Sequence, residues 1–136
     1  MKSRGIDTLD AVREFHEKCD QPIHHLPYLD DEEVNELRLD LLYEELNELK
    51  TALKDGNEAA VLDALTDIQY VLDGTYLSLG FHGMKEAAFR EIHRSNLSKL
   101  ENGKVLKRAD GKVLKGKSYR PPNLAPILEA AYADDR

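Results

Sequence analysis

Two long helical periods joined only by Asp55-Gly56-Asn57 constrain this 136-residue chain more than any other feature. The first begins near Asp30 or Asp31, with acids crowding its positive end, and stops at Asp55-Gly56. The second runs from about Asn57 to Leu79 and is closed by Gly80. So short a connection makes the two helices antiparallel neighbours. A shorter helical pattern covers Thr8 to Lys18, with Asp7 as its N-cap. Asp20 to Asp30, with Pro22 and Pro27, reads as an irregular connection, and a further helix runs from about Met84 to Leu100. Gly103-Lys-Val-Leu-Lys107 recurs as Gly111-Lys-Val-Leu-Lys115 around an Asp110-Gly111 turn signal, predicting a short β-hairpin or an ordered loop. Tyr119-Arg-Pro-Pro122 is extended, and Leu124 to Tyr132 is a final short helix. The expected fold is all-α, built from antiparallel helical hairpins.

A chain of this length fits one domain over residues 1–136 and buries roughly two-thirds of its unfolded surface. No apolar run approaches the ~18–20 residues of a membrane span, and the start leads into no signal-peptide core. The lone Cys19 excludes an internal disulfide and a cysteine-based zinc site, so the expected compartment is the reducing cytoplasm. A net charge of −7 argues against a general nucleic-acid surface, which must be cationic. That total conceals a division. Residues 90–120 carry +7 and the remainder −14, so one part suits a cation and the other a polyanion, unless the two merely neutralise each other.

The first long helix has charges in the wrong place. With Val34 at zero and ~100° per residue, Leu37, Leu41, Ala52, Leu49, Leu42 and Leu53 span a broad apolar arc from ~300° to ~100°. Glu45 falls inside it near ~20° and Glu48 near ~320°, with Glu44 at its edge near ~280°. A carboxylate facing a packing interface needs either a basic partner or a metal ion. Arg38, two turns upstream on that face, is the only basic candidate nearby. Three carboxylates in one to two turns also form a cradle for hard cations such as Mg²⁺ or Mn²⁺. On the second long helix, Val61, Leu65, Ile68, Leu72, Tyr76 and Leu79 are spaced for burial, while Asp63, Asp67, Tyr70, Gly74 and Leu77 form a second stripe. Antiparallel pairing sets Asp67 level with Glu44–Glu48, each roughly 8–11 residues from the turn. Like charges so close cannot all stay ionised without cations. Beyond them, His93 and Asn96 share a face with Phe89, Ile92 and Leu100. With Ser95, Ser98, Lys99 and the basic segment, they offer contacts for phosphate or a base.

The run Leu41-Leu-Tyr-Glu-Glu-Leu-Asn-Glu48 followed by Asp63-Ala-Leu-Thr-Asp67-Ile-Gln-Tyr70 resembles the all-α nucleoside triphosphate pyrophosphohydrolase superfamily, MazG-like and phosphoribosyl-ATP pyrophosphohydrolase-like. The resemblance extends from about Phe15 to Leu124. Phe89-Arg-Glu-Ile-His-Arg-Ser-Asn-Leu-Ser-Lys99 and Gly111-Lys-Val-Leu-Lys-Gly116 through Tyr119-Arg-Pro-Pro122 resemble its branch with a C-terminal nucleotide-binding extension, here the basic residues 101–123. It implies cleavage between the α- and β-phosphates of a nucleoside triphosphate such as dUTP or a non-standard nucleotide, giving monophosphate and pyrophosphate. It further implies Glu45, Glu48 and Asp67 as ligands of Mg²⁺ or Mn²⁺. Glu44 becomes a further ligand or, with Glu45, part of the catalytic apparatus that orients and deprotonates water. Asn96, Lys99, Lys115 and Tyr119 become substrate contacts. A homodimer or dimer of dimers would complete a four-helix bundle. One departure stands out: Ala64 occupies the position three before Asp67 where many members carry an acid, and Asp63, one residue earlier, is the available substitute.

The chain contains no Gly-x-x-x-x-Gly-Lys loop and no Ser/His/Asp or Cys/His spacing for nucleophilic catalysis. A non-catalytic helical-bundle module is the competing reading, and it needs basic partners for the inward acids. An oxidising di-metal bundle needs Glu-x-x-His pairs that the acidic helices lack.

Overall fold

The first three helices start at side chains that satisfy free amides, and two of them end at glycines that leave the right-handed region. The computed structural model describes residues 5–135, so the first four residues, from which the absence of a signal-peptide core was read, lie outside them. Helices are α1 (Thr8–Lys18), α2 (Glu32–Asp55), α3 (Glu58–Leu79), α4 (Lys85–Leu97) and α5 (Ala125–Asp134), with a 3₁₀ turn at His82–Met84. Asp7, Asp31 and Asn57 side chains accept from the amides of Asp10, Val34 and Ala60 at 3.0, 3.2 and 3.1 Å, capping α1, α2 and α3. Gly56 and Gly80 end α2 and α3 at φ +64° and +81°. None of the helices described is long and apolar enough to cross a membrane.

The chain divides into two compact units, residues up to His82 and from Gly83 onward. In the first, α2 lies along α3 and α1 against α3. Val12 of α1 is fully buried, and the Phe15 ring meets Tyr70 of α3 edge-on with centroids 5.7 Å apart. The proline-containing connection is ordered because it satisfies what α3 leaves open. The amides of His24 and Tyr28 donate to the carbonyls of Leu77 and Leu79 at 3.0 Å each, in the last turn of α3. Ser78 Oγ donates to Pro22 O at 2.9 Å, and His16 Nδ1 donates to the same oxygen at 3.4 Å.

Burial on α3 departs from its periodicity. The buried positions are Ala64, Asp73, Gly74, Leu77 and Ser78, whereas Leu65 and Leu72 of the stripe spaced for burial are 51% and 38% exposed. The neighbours α1 and α2 cover one side of α3 and leave the other open.

In the second unit, α4 ends at Leu97, short of the expected Leu100, and the following segment folds back on it. Ser95 Oγ donates to Arg120 O at 2.9 Å, and Ser98 Oγ accepts from Arg120 N–H at 2.9 Å. Gly116 N–H donates to Lys99 O at 3.1 Å. Glu101 Oε1 accepts from the amides of Lys117 and Ser118. Isolated antiparallel bridges join Glu101 to Lys104 and Lys107 to Val113, the latter closed around Gly111 at φ +89°. The described segment is thus a tethered loop with two bridges.

The two helix-ending glycines separate left-handed backbone from close packing. A Cβ on Gly56 meets nothing, so Gly56→Ala costs about 1–2 kcal/mol for the backbone region alone. A Cβ on Gly80 would land on the Leu26 carbonyl, so Gly80→Ala must displace the connection and costs clearly more. Urea unfolding midpoints of the two variants check this order.

Candidate metal centre

The α2–α3 hairpin brings side chains together when they lie equally far from its turn. Glu45 and Asp67 are both eleven residues from Gly56, and Glu48 is eight. One carboxylate oxygen from each of Glu45, Glu48 and Asp67 lies within 4.8 Å of the other two. Two unit charges ~4 Å apart repel by about 4 kcal/mol at an effective dielectric of ~20, so three ionised groups here are unfavourable without a cation. Glu45 is half-buried, Glu48 exposed and Asp67 half-buried.

Proton affinities report the crowding. Burial raises the Glu45 carboxyl from 4.5 to about 7, helped by a hydrogen bond with Glu48 and by the charges of Glu48, Asp67 and Glu44. Burial also raises Asp67, with Asp63 and Glu48 adding to the shift. Glu45 Oε2 is buried and has no hydrogen-bond partner. An orphaned buried carboxylate oxygen, in an all-oxygen donor set, fits a hard divalent cation.

The remaining acids lie to one side. Glu44 and Asp63, with Glu48, line a cleft of about 500 Å³ that runs along the hairpin and includes Asn47, Thr51, Asp55 and Asn57. Thus the structure brings together Glu45, Glu48 and Asp67 and sets Glu44 and Asp63 on the adjoining wall. Among the described residues none of these five acids makes an ion pair. Arg38, the basic residue that the sequence offers as a partner, bonds to α3 instead, through Val71 O and Thr75 Oγ1. Asn47 and Thr51 escaped the sequence reading because polar residues on a solvated helix face carry no distinguishing period.

Asn96, Lys99, Lys115 and Tyr119 belong to the second unit. Asn96 is exposed on α4, and Lys99 is half-buried. Lys115 Nζ stands 4.9 Å over the Tyr119 ring, and Tyr119 N–H donates to Gly116 O at 3.2 Å. Because Gly116 is also bound to Lys99 O, Lys99, Lys115 and Tyr119 share one tethered loop.

A family model described as phosphoribosyl-ATP pyrophosphohydrolase matches residues 12–96, which include α2, α3 and all five acids. No curated protein matches the chain.

Glu45 makes stability depend on pH in a definite direction. Its folded-state affinity for a proton exceeds the unfolded one, so its favourable contribution is complete below about 4.5 and is lost as pH rises through about 7. In chelator at pH 8, Glu45→Gln should therefore melt above the parent protein, with the difference closing toward pH 4.5. Added Mn²⁺ should raise the parent's melting temperature at pH 8 and leave that of Glu45→Gln nearly unchanged. Thermal melts over pH and Mn²⁺ concentration measure both.

Proposed function

The chain belongs to the phosphoribosyl-ATP pyrophosphohydrolase family and is a hydrolase of phosphoanhydride bonds, and from that premise we propose that it cleaves nucleoside triphosphates between the α- and β-phosphates. The products are a nucleoside monophosphate and pyrophosphate, and the substrates are dUTP or another (deoxy)nucleotide removed in cleansing the nucleotide pool. The observation that carries this reading is the convergence of Glu45, Glu48 and Asp67, together with a buried Glu45 oxygen that has no hydrogen-bond partner.

On this reading Glu45, Glu48 and Asp67 hold Mg²⁺ or Mn²⁺, and Asp63 supplies the carboxylate that Ala64 does not. When bound, a divalent cation neutralises phosphate charge and favours deprotonation of water. Glu44, beside the cluster on the cleft wall, takes the proton of the attacking water as a phosphorus–oxygen bond forms and the α–β bridging bond breaks. Asn96 on α4 and Lys99, Lys115 and Tyr119 on the loop after it contact the nucleotide, the loop being rich in the basic side chains a triphosphate needs. The family match favours this reading over a non-catalytic helical-bundle module, which would pair the inward acids with basic residues across an interface and bind no divalent metal in calorimetry.

Exposed apolar surface supports the reading of a homodimer or dimer of dimers. Leu39, Tyr43, Leu46 and Leu53 make a stripe along α2, from 53% to 63% exposed, and Leu62 and Leu65 of α3 are 68% and 51% exposed. Exposed apolar helix faces of this kind, here interrupted by Lys50, mark an association surface, and a second copy of the hairpin would complete a four-helix bundle. The lone Cys19 suits a reducing cytoplasm.

A nucleotide panel with Mg²⁺ or Mn²⁺ should yield monophosphate and pyrophosphate, and release of orthophosphate alone would refute the assigned bond. Glu48→Gln and Asp67→Asn should each lower kcat at least about 1,000-fold while remaining folded by circular dichroism. Leu62→Glu changes little within one chain because the side chain is already exposed. In light scattering it should shift the protein toward monomer.

A further inference from the structure

The buried charge on α2 is not part of the chemistry described above. Arg38 is only 6% exposed, and burial depresses its pKa. Its Nη2 donates to Val71 O at 2.9 Å and its Nε to Thr75 Oγ1 at 3.3 Å, while Thr75 Oγ1 itself donates to Val71 O at 2.8 Å. Two prongs of one rigid guanidinium therefore grip two acceptors on a single turn of α3. The grip depends on Gly74. A Cβ there would stand 2.7 Å from His16 Nε2 and closer still to Arg38 Nη2, so α1 and α2 both reach the α3 backbone at that residue.

Burying a charge is expensive, and an apolar side chain of similar volume would usually stabilise the pair as well or better. What Arg38 adds is direction. An apolar contact tolerates sliding and rotation between helices, whereas a fork on two fixed oxygens does not. Its place along the hairpin is informative. Arg38 lies eighteen residues from Gly56, and the midpoint of Val71 and Thr75 lies seventeen, the same antiparallel register that sets Glu45 opposite Asp67. The carboxylate cluster sits between two fixed points, the turn at Gly56 on one side and the Arg38 fork on the other. From Glu45 to the fork is seven residues, or ~10 Å along α2.

We propose that Arg38 is a positioning residue for the metal centre: by fixing the register of α2 on α3, it holds Glu45 and Glu48 against Asp67. This rests on the reading of those acids as cation ligands. Arg38 touches none of them, and it acts through the helix pair.

The test uses the full chain and Mn²⁺ alone, with affinity read by electron paramagnetic resonance and stability by thermal melting. Arg38→Met removes both prongs. Arg38→Lys keeps the charge without the fork, and Thr75→Val removes one acceptor at nearly constant volume, which keeps the test open if Arg38→Met does not fold. Val12→Ala, which loosens α1 packing without touching the α2–α3 fork, is the control for lost stability. Losing an outer contact that orients metal ligands typically costs ~10–100-fold in affinity. We expect a loss of about tenfold or more in Arg38→Met, no rescue by Arg38→Lys, and a smaller loss in Thr75→Val. Val12→Ala should stay within about twofold of the parent, well short of that ~10-fold range. If the Arg38 variants bind Mn²⁺ as Val12→Ala does at matched melting temperature, the positioning role is wrong and the metal reading stands. If the parent protein itself binds no Mn²⁺, both fall.

Discussion

Three carboxylates crowded within 4.8 Å repel one another, and the hairpin holds them there. The α2–α3 pair can do so because its turn fixes which residues face each other and because packing along α3 outweighs the repulsion. The molecule lowers the cost by keeping Glu45 protonated to about pH 7. That proton occupies a place a divalent cation can take. Most of the first unit follows from this arrangement. The capped, glycine-ended helices give the hairpin its length, α1 and the proline-containing connection close its far end, and the cleft opens beside the acids.

The two compact units divide the charge between them. All five candidate acids are on the hairpin, and the excess of basic residues lies in the loop that follows α4. The family match ends at Asn96 and therefore takes in the acids and leaves the basic loop outside. What the match covers is the acidic hairpin. The loop anchored on Ser95, Ser98 and Glu101 follows the matched region.

Much of this could be read from residues alone, and the reasons differ by element. Asp7, Asp31 and Asn57 announced helix starts because capping is local chemistry, and Gly56 and Gly80 announced helix ends because the left-handed region favours glycine. Glu45 and Glu48 stood out because ionisable groups on an apolar arc demand a partner. The burial of α3 was not readable in the same way. Leu65 and Leu72 have the period of a buried stripe, but periodicity says that a face is apolar and not what covers it. Nor did the pattern reveal the fork of Arg38, or the connection held by the amides of His24 and Tyr28, since backbone bonds of that kind are open to almost any sequence.

The hairpin origin of the cluster also bears on how fast the protein can assemble it. Glu45 and Asp67 are separated by 22 residues and one tight turn, so the centre needs no distant segment to arrive. Local closures of this kind are among the quicker steps in folding. The step that forms this hairpin also drives the acids together, so their repulsion belongs to the folding barrier as well as to the finished structure. A cation or a proton that quiets the repulsion lowers that barrier whenever the acids have already met in the transition state. A helical hairpin that crowds acids together thus links the speed of its own formation to whatever quiets their charge.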